Sequence, residues 1–413
     1  MIERSELDSG LRVVTESVPD LPSITIGAWV GSGSRDERVD AGEWGCSHFL
    51  EHLLFKGTAE RSAREIADAI ESVGGEMNAF TTHEQTVFYV RVPDVHFDLA
   101  FDVLADVVWY PAFRPNEVES ERNVILEEIG MRDDTPDDLV HDVFGAAMFP
   151  GHPLGREVIG SRDSISAMTR DRIADYHAAH YHPSNVVLSV AGNVTHAAVL
   201  EAVAAKYPNG DERRPERRDP APDQPAGRTV VERDLEQAHV VIGMRGLSSL
   251  DPDRYALTVV NQVLGGGMSS RLFQEVREQR GLAYSVYSYQ AGFTDNGYVA
   301  VYAGTAPERV GESLDVINAE LDKLGRDGVT DTELTAAKGH LTGSLAMSLE
   351  TSASRMRRIG RAESVEHAVP SLAELLGRIE AVDHDATARV IERVFRTDAR
   401  TLALVGPALP ELA

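Results

Sequence analysis

Residues 45–58 read Gly-Cys-Ser-His-Phe-Leu-Glu-His-Leu-Leu-Phe-Lys-Gly-Thr, with His48, Glu51 and His52 set into an otherwise apolar run. The pattern predicts a helix over Gly42–Phe55. Residues four apart on a helix share a face, so His48 and His52 can reach one ion, and Glu51, three after His48, projects towards the same side. Phe49, Leu50, Leu53, Leu54 and Phe55 make this a largely buried helix, where unpaired imidazole and carboxylate groups are costly. A shared metal ion accounts for their presence. Two imidazoles and a carboxylate suit zinc with one position left for water, and Glu51 is then placed to take the proton of that water rather than to bind the metal. The order is the reverse of the commoner HExxH arrangement.

A third ligand is required. A helix expected over Pro115–Met131 offers Glu117, Glu119, Glu121, Glu127 and Glu128. Glu121 and Glu128 stand two turns apart on one face with Ile125 between them, whereas Glu127 points elsewhere. That face suits Glu128 as ligand and Glu121 as a carboxylate behind it that orients a ligand or water. On the residues alone Glu127 stays a candidate beside Glu128, since both can be solvated.

The rest of the chain reads as strands mixed with long helices. Ser23–Val30 and Val87–Val92 are expected strands, and Ser62–Val73 and Val95–Val108 expected helices. Tyr207–Arg228 is dense in Pro, Gly and charge and reads as a linker, residues 207–228, between a domain at 1–206 and one at 229–413. The halves look alike. Val87–Val92 is followed by Pro93 and the helix Val95–Val108; Tyr298–Tyr302 is followed by Pro307 and a helix over Glu308–Leu324. Ala256–Leu264 is a counterpart of Gly42–Phe55. The expectation is an α+β protein of two homologous domains, each a mostly antiparallel sheet with helices packed on one face.

Composition narrows the function classes. The 413 residues carry a formal net charge of −26, which argues against nucleic acid or an anionic membrane surface as partner. No apolar run approaches the length of a bilayer span. Cys46 is the single cysteine, so no intrachain disulfide forms, and it reads as a small buried residue rather than a ligand. With a polar N-terminus (Met1-Ile2-Glu3-Arg4-Ser5-Glu6), the expectation is a cytoplasmic chain.

The stretch Gly45–Thr58 closely resembles the zinc helix of the pitrilysin–insulinase family, in the branch of the bacterial relatives of mitochondrial processing peptidase. The family's spacing from the second histidine to its glutamate ligand is met by Glu128, 76 residues after His52, and Asn123-Val124-Ile125-Leu126-Glu127-Glu128-Ile129 is similar to its pattern, with the second Glu as ligand. The resemblance implies one Zn2+ per chain on His48, His52 and Glu128, with Glu51 catalytic and Glu121 supporting the ligands. Gly74-Gly75-Glu76-Met77-Asn78-Ala79-Phe80-Thr81 resembles the family's substrate-binding edge strand, which places Asn78 and Ala79 beside the scissile bond. Tyr181-His182-Pro183-Ser184-Asn185, ending at Ala191-Gly192-Asn193, resembles the strand that follows. Gly265-Gly266-Gly267-Met268-Ser269-Ser270-Arg271-Leu272-Phe273 leads to Arg277 and Tyr284, whose seven-residue spacing is that of the family's substrate-contacting Arg and Tyr. Leu53 departs from a common methionine and Ser47 from a frequent alanine, both outside the catalytic set.

The implied activity is that of a zinc metalloendopeptidase acting on unfolded peptides or presequence-like segments inside a closed chamber of four such domains. A chain with two of the four implies a dimer, and carrying both the zinc set and the Arg277–Tyr284 pair favours a homodimer over a heterodimer with a silent sister. The alternative is a non-catalytic peptide-binding or scaffold subunit. Subunits of that kind typically lack the intact HxxEH set that this chain keeps.

Overall fold

The computed structural model describes residues 1–207, 218–221, 227–395 and 399–408. Of the expected linker 207–228, residues 208–217 and 222–226 therefore lie outside the described residues. Two compact units emerge. One comprises Met1–Gly130, Glu157–Asp219 and Ser348–Ser371; the other comprises Met131–Arg156, Pro220–Met347 and Leu372–Ala413.

The first unit is built on a six-stranded sheet of β1 (Ile2–Glu6), β2 (Arg12–Ser17), β3 (Ser23–Val30), β4 (Glu76–Thr81), β5 (Thr86–Pro93) and β6 (Val186–Gly192), in the order β1-β2-β6-β3-β5-β4. All pairs are antiparallel except β2–β6. The second unit has β7 (Arg228–Glu232), β8 (Ala238–Gly246), β9 (Ala283–Gly292), β10 (Gly297–Thr305) and β11 (Thr401–Gly406), in the order β7-β11-β8-β10-β9, with only β7–β11 parallel. Strand for strand, the second sheet repeats the first without β1. The α+β class and the two mostly antiparallel sheets are as expected.

Alternation along the strands explains where the cores lie. Ile24, Ile26, Ala28 and Val30 of β3, with Phe88, Val90 and Val92 of β5, face the helices Cys46–Leu54 and Phe97–Trp109 through Phe49, Leu50, Leu53, Leu54, Val103 and Leu104. The intervening residues Trp29, Val87 and Tyr89 face the other way. They meet Met356 and Ile359 of helix Ser352–Glu366, so this sheet is covered on both faces. Its counterpart in the second unit is helix Pro136–Met148, which buries Leu139, Val140 and Phe144 against Val241, Ala300, Ala403 and Val405. The packing thus adds one layer to the expected arrangement. It also differs from a division of the chain at 207–228, because residues 131–156 pack with the second sheet and 348–371 with the first.

Helix Ser352–Glu366 is seated by charge and by the lack of side chains. Arg355 and Arg358 each donate to one oxygen of the buried Glu16 on β2, at 2.7 and 3.0 Å. Gly27 makes room for the Met356 sulfur, and Gly360 lies against Trp29, whose indole N–H donates to Ser189 Oγ at 2.8 Å. Among the described residues no helix is long and apolar enough to cross a membrane.

A Cβ at position 360 overlaps the Trp29 indole and the Ser189 hydroxyl. Gly360→Ala is expected to destabilise the first unit by about 1–3 kcal/mol, the usual cost of overpacking a core. Guanidinium denaturation followed by tryptophan fluorescence measures it, and an unchanged midpoint contradicts the close seating of this helix.

Candidate metal and hydrolytic site

The helix carrying the motif runs Cys46–Leu54, shorter at both ends than the expected Gly42–Phe55. Its start is set by Gly45, whose φ of 89° is left-handed and favours glycine. The first amides are taken by Glu37, whose two carboxylate oxygens accept from Gly45 N and Ser47 N, each at 2.8 Å. A carboxylate there answers both the unsatisfied donors and the positive end of the helix dipole. Ser47 Oγ also meets Tyr176 OH at 2.9 Å. With Cys46, Phe49, Leu50, Leu53 and Leu54 buried, the remaining face presents His48, Glu51 and His52.

Helix Pro115–Asp133 packs through Val118, Ile125 and Ile129 and buries Glu121 among them. Two turns on, Glu128 faces the histidines, while Glu127 is exposed to solvent. One Glu128 oxygen lies 3.8 Å from His48 Nε2 and 3.5 Å from His52 Nε2. His48, His52 and Glu128 each offer one ligand atom, and these atoms all lie within 4.8 Å of one another. Three ligand atoms about 2.0–2.1 Å from a tetrahedral zinc would stand roughly 3.4 Å apart, so the donor set fits the ion with small adjustment.

The protonation chemistry favours the same use. Burial, and after it the neighbouring charge of His52, pushes the His48 imidazole down to about 3, which keeps it neutral with a lone pair to donate. Its Nδ1 is buried without a hydrogen-bond partner. His52 differs. Its Nδ1 lies 3.2 Å from Glu121 Oε2, and a proton held on that nitrogen leaves the Nε2 lone pair directed at the Glu128 side. Such a carboxylate–histidine pair is the usual way a metal-binding ring is oriented.

Glu51 stands outside the ligand group. Burial raises its pKa above the ordinary carboxylate range; the Thr81 hydroxyl and His52 counteract this and Glu128 adds to it. Thr81 Oγ1 donates to Glu51 Oε2 at 2.6 Å. Thr81 ends β4, an edge strand that pairs with β5 alone in the sheet. Asn78 and Ala79 lie on the same strand, opposite Tyr89 and Phe88, and Asn78 Oδ1 accepts from Ala79 N at 2.8 Å. The free edge and the carboxylate are therefore linked by one hydroxyl.

Arg277 and Tyr284 belong to the second unit. Arg277 lies in the π-helical turn Phe273–Glu278, with its guanidinium 4.8 Å from the Phe273 ring centroid and 4.7 Å from that of Tyr284. Tyr284 is the second residue of the edge strand β9 and is 80% exposed. These two residues form a pair with each other. His48, Glu51, His52, Asn78, Ala79, Glu121 and Glu128 all lie in the first unit. Sequence reasoning assigned no part to Glu37 and read Thr81 only as the end of the edge strand, without its link to Glu51. Thr81 was within reach of it, since it shares a strand face with Ala79; Glu37 lies in a loop with no periodicity to flag it.

Comparison with known proteins gives the same direction. Residues 12–162 match the family described as Insulinase (Peptidase family M16), and residues 167–341 match the Peptidase M16 inactive domain. An uncharacterized zinc protease of Streptomyces coelicolor is 44% identical over 98% of this chain and 90% of its own length. Another, of Bacillus subtilis, is 38% identical over 99% of both chains. Among solved structures, a peptidase M16 inactive domain from Pseudomonas fluorescens superposes with a TM-score of 0.92 at 22% identity, covering 99% of this chain and 98% of its own. A protease from Helicobacter pylori gives 0.91 at 24%, covering 98% and 99%. These two likenesses bear on the fold.

Glu128→Gln replaces a charged donor of the group by a neutral one while keeping its shape. Equilibrium dialysis is expected to show about one zinc per wild-type chain and a loss of at least tenfold in zinc affinity for the folded variant, in line with losing one of three protein ligands. Undiminished zinc in Glu128→Gln places the third ligand elsewhere.

Proposed function

We propose that this chain, which belongs to the insulinase family, peptidase family M16, is a zinc-dependent endopeptidase that hydrolyses unfolded peptides or presequence-like segments. The observation that carries the reading is the convergence of His48, His52 and Glu128, with Glu51 beside them on the same helix but outside the group. Relatives across the length of the chain are named zinc proteases. The half of the chain matched to an inactive domain begins at residue 167 and contains none of these four residues.

His48, His52 and Glu128 would hold zinc, which would supply the Lewis acidity that polarises a carbonyl and lowers the pKa of water to about 7. Glu51 takes the proton of the attacking water and delivers it to the leaving amine. A carboxyl whose pKa is raised by burial suits that task, since it is a stronger base than an exposed carboxylate when it takes the proton. Thr81 fixes the orientation of the carboxylate by holding Oε2. β4 takes an extended peptide as an additional strand, with Asn78 and Ala79 beside the scissile bond; Asn78 Oδ1 gives up the Ala79 amide as the peptide pairs. Backbone pairing reads conformation more than side chains, which favours unfolded substrates. The lone buried cysteine and the acidic composition suit the cytoplasm.

Two variants separate the roles. Glu51→Gln is expected to keep zinc and bind peptide but to lose turnover by at least about a thousandfold, somewhat more than general-base removal alone often costs because the same group also serves the leaving amine. Thr81→Val is expected to lower kcat by about tenfold with KM little changed, because one hydrogen bond that orients the base is lost. Single-peptide kinetics followed by mass spectrometry measures both, and near-normal turnover in Glu51→Gln contradicts the assignment of the base.

The family resemblance extends the reading to a homodimer in which Arg277 and Tyr284 of one copy steady the substrate carbonyl at the zinc group of the other. Mixing Glu51→Gln with Arg277→Ala after dissociation then regenerates one intact site in each mixed dimer. Random pairing makes half the dimers mixed, so activity is expected to return to about a quarter of wild type for a closed two-fold assembly. Mixed dimers as inactive as their parents would place Arg277 within its own site or outside catalysis.

A further inference from the structure

Lys56 stands two residues beyond the helix Cys46–Leu54, where its amide donates to Leu53 O at 3.0 Å. A cation at the C-terminal end of a helix is favoured by the helix dipole. The side chain does not simply trail into solvent. Its Nζ lies 2.8 Å from Glu121 Oε1, while the other oxygen of that carboxylate, Oε2, lies 3.2 Å from His52 Nδ1. The Glu121 side chain is 4% exposed and that of Lys56 35%. One buried carboxylate is thus gripped at each oxygen, by a lysine on one side and by a histidine of the metal group on the other.

An ion pair between two exposed side chains is worth little. A carboxylate buried among Val118, Ile125 and Ile129 is a different case, because taking away its cation leaves an ionised group without charge compensation. The geometry has a second consequence. With Oε1 held by Lys56, the carboxylate cannot swing, and Oε2 stays aimed at His52 Nδ1. That bond keeps both nitrogens of His52 in place, since a ring flip would put Cδ2 where Nδ1 meets Glu121 and Cε1 where Nε2 faces Glu128. His48 has no equivalent anchor, its Nδ1 being buried without a hydrogen-bond partner. The orientation of the histidine pair therefore depends on the Glu121 side.

We propose that Lys56 is a positioning residue for the metal group, acting through Glu121 to hold His52 with Nε2 towards Glu128. The inference rests on the zinc reading given above. It assigns to Lys56 a part in holding the ion and none in contacting substrate. Partners of this kind, one step removed from the ligands, typically change metal affinity by about 10–100-fold when removed.

The test measures Zn2+ binding to the full chain by competition with a chromophoric chelator, for wild type, Lys56→Met, Glu121→Gln and the double variant. Lys56→Met is expected to weaken zinc binding about tenfold, at the low end for groups beyond the ligands. The double variant is expected to bind zinc no more weakly than Glu121→Gln alone, because a residue acting only through Glu121 has nothing left to act on. A general loss of structure would not give that non-additivity. Lys56→Gln, which keeps most of the stem but not the charge, carries the same comparison should the methionine variant not fold. Wild-type affinity in Lys56→Met and Lys56→Gln overturns the proposal, as does a double variant whose loss is the product of the two single losses. Failure of the wild-type chain to bind zinc overturns the zinc reading and this inference together, which distinguishes it from the other outcomes.

Discussion

Burial of the apolar face of helix Cys46–Leu54 is the constraint on which the site depends. Once Phe49, Leu50, Leu53 and Leu54 are committed to the core, the rotation of the helix is fixed. Its polar face can then only point at helix Pro115–Asp133 and the end of β4. The helix has nine residues, too short to be stable by propensity, so its place comes from packing and from Glu37 at its first amides. Three elements distant in sequence are thereby registered against each other: a helix with two imidazoles, a helix with two carboxylates, and a sheet edge.

Most of that was legible because it rests on short-range periodicity. The four-residue spacing of His48 and His52 and the seven-residue spacing of Glu121 and Glu128 are properties of single helices, and both helices formed where the pattern placed them. The choice between Glu127 and Glu128 was not decided by the residues alone, since either could be solvated. It is decided by which face of helix Pro115–Asp133 packs on the core: Ile125 and Ile129 bury, which turns Glu128 towards the histidines and leaves Glu127 in solvent. The repeat of the halves was visible as strand–proline–helix, and the matching strand orders of the two sheets are its three-dimensional counterpart.

What was not legible is long-range. Nothing in the periodicity of Pro136–Met148 or Ser352–Glu366 says which sheet each will cover, because an amphipathic helix carries no address. The address is in shape and charge. Gly27 and Gly360 open a seat for the second of these helices, and Glu16 offers one oxygen to each of two arginines spaced three apart on it. A cut in the low-complexity stretch 207–228 follows the chain, whereas compactness follows the cores, and the two differ wherever a segment finds its apolar partner in the other half. Glu37 was invisible for a related reason: a capping carboxylate supplied from a loop leaves no trace in the helix it caps.

The three carboxylates of the site show how far environment alone sets chemistry. Glu128 has a side chain 36% exposed beside two imidazole nitrogens, which makes it an anion in want of a cation. Glu121 is buried but gripped at both oxygens by Lys56 and His52, so its charge is compensated and its position fixed. Glu51 is buried beside Thr81, and its pKa rises, because the hydrogen bonding Thr81 offers does not replace the water the carboxylate has lost. The neighbours of each carboxylate are fixed by the packing of the two helices and the edge strand.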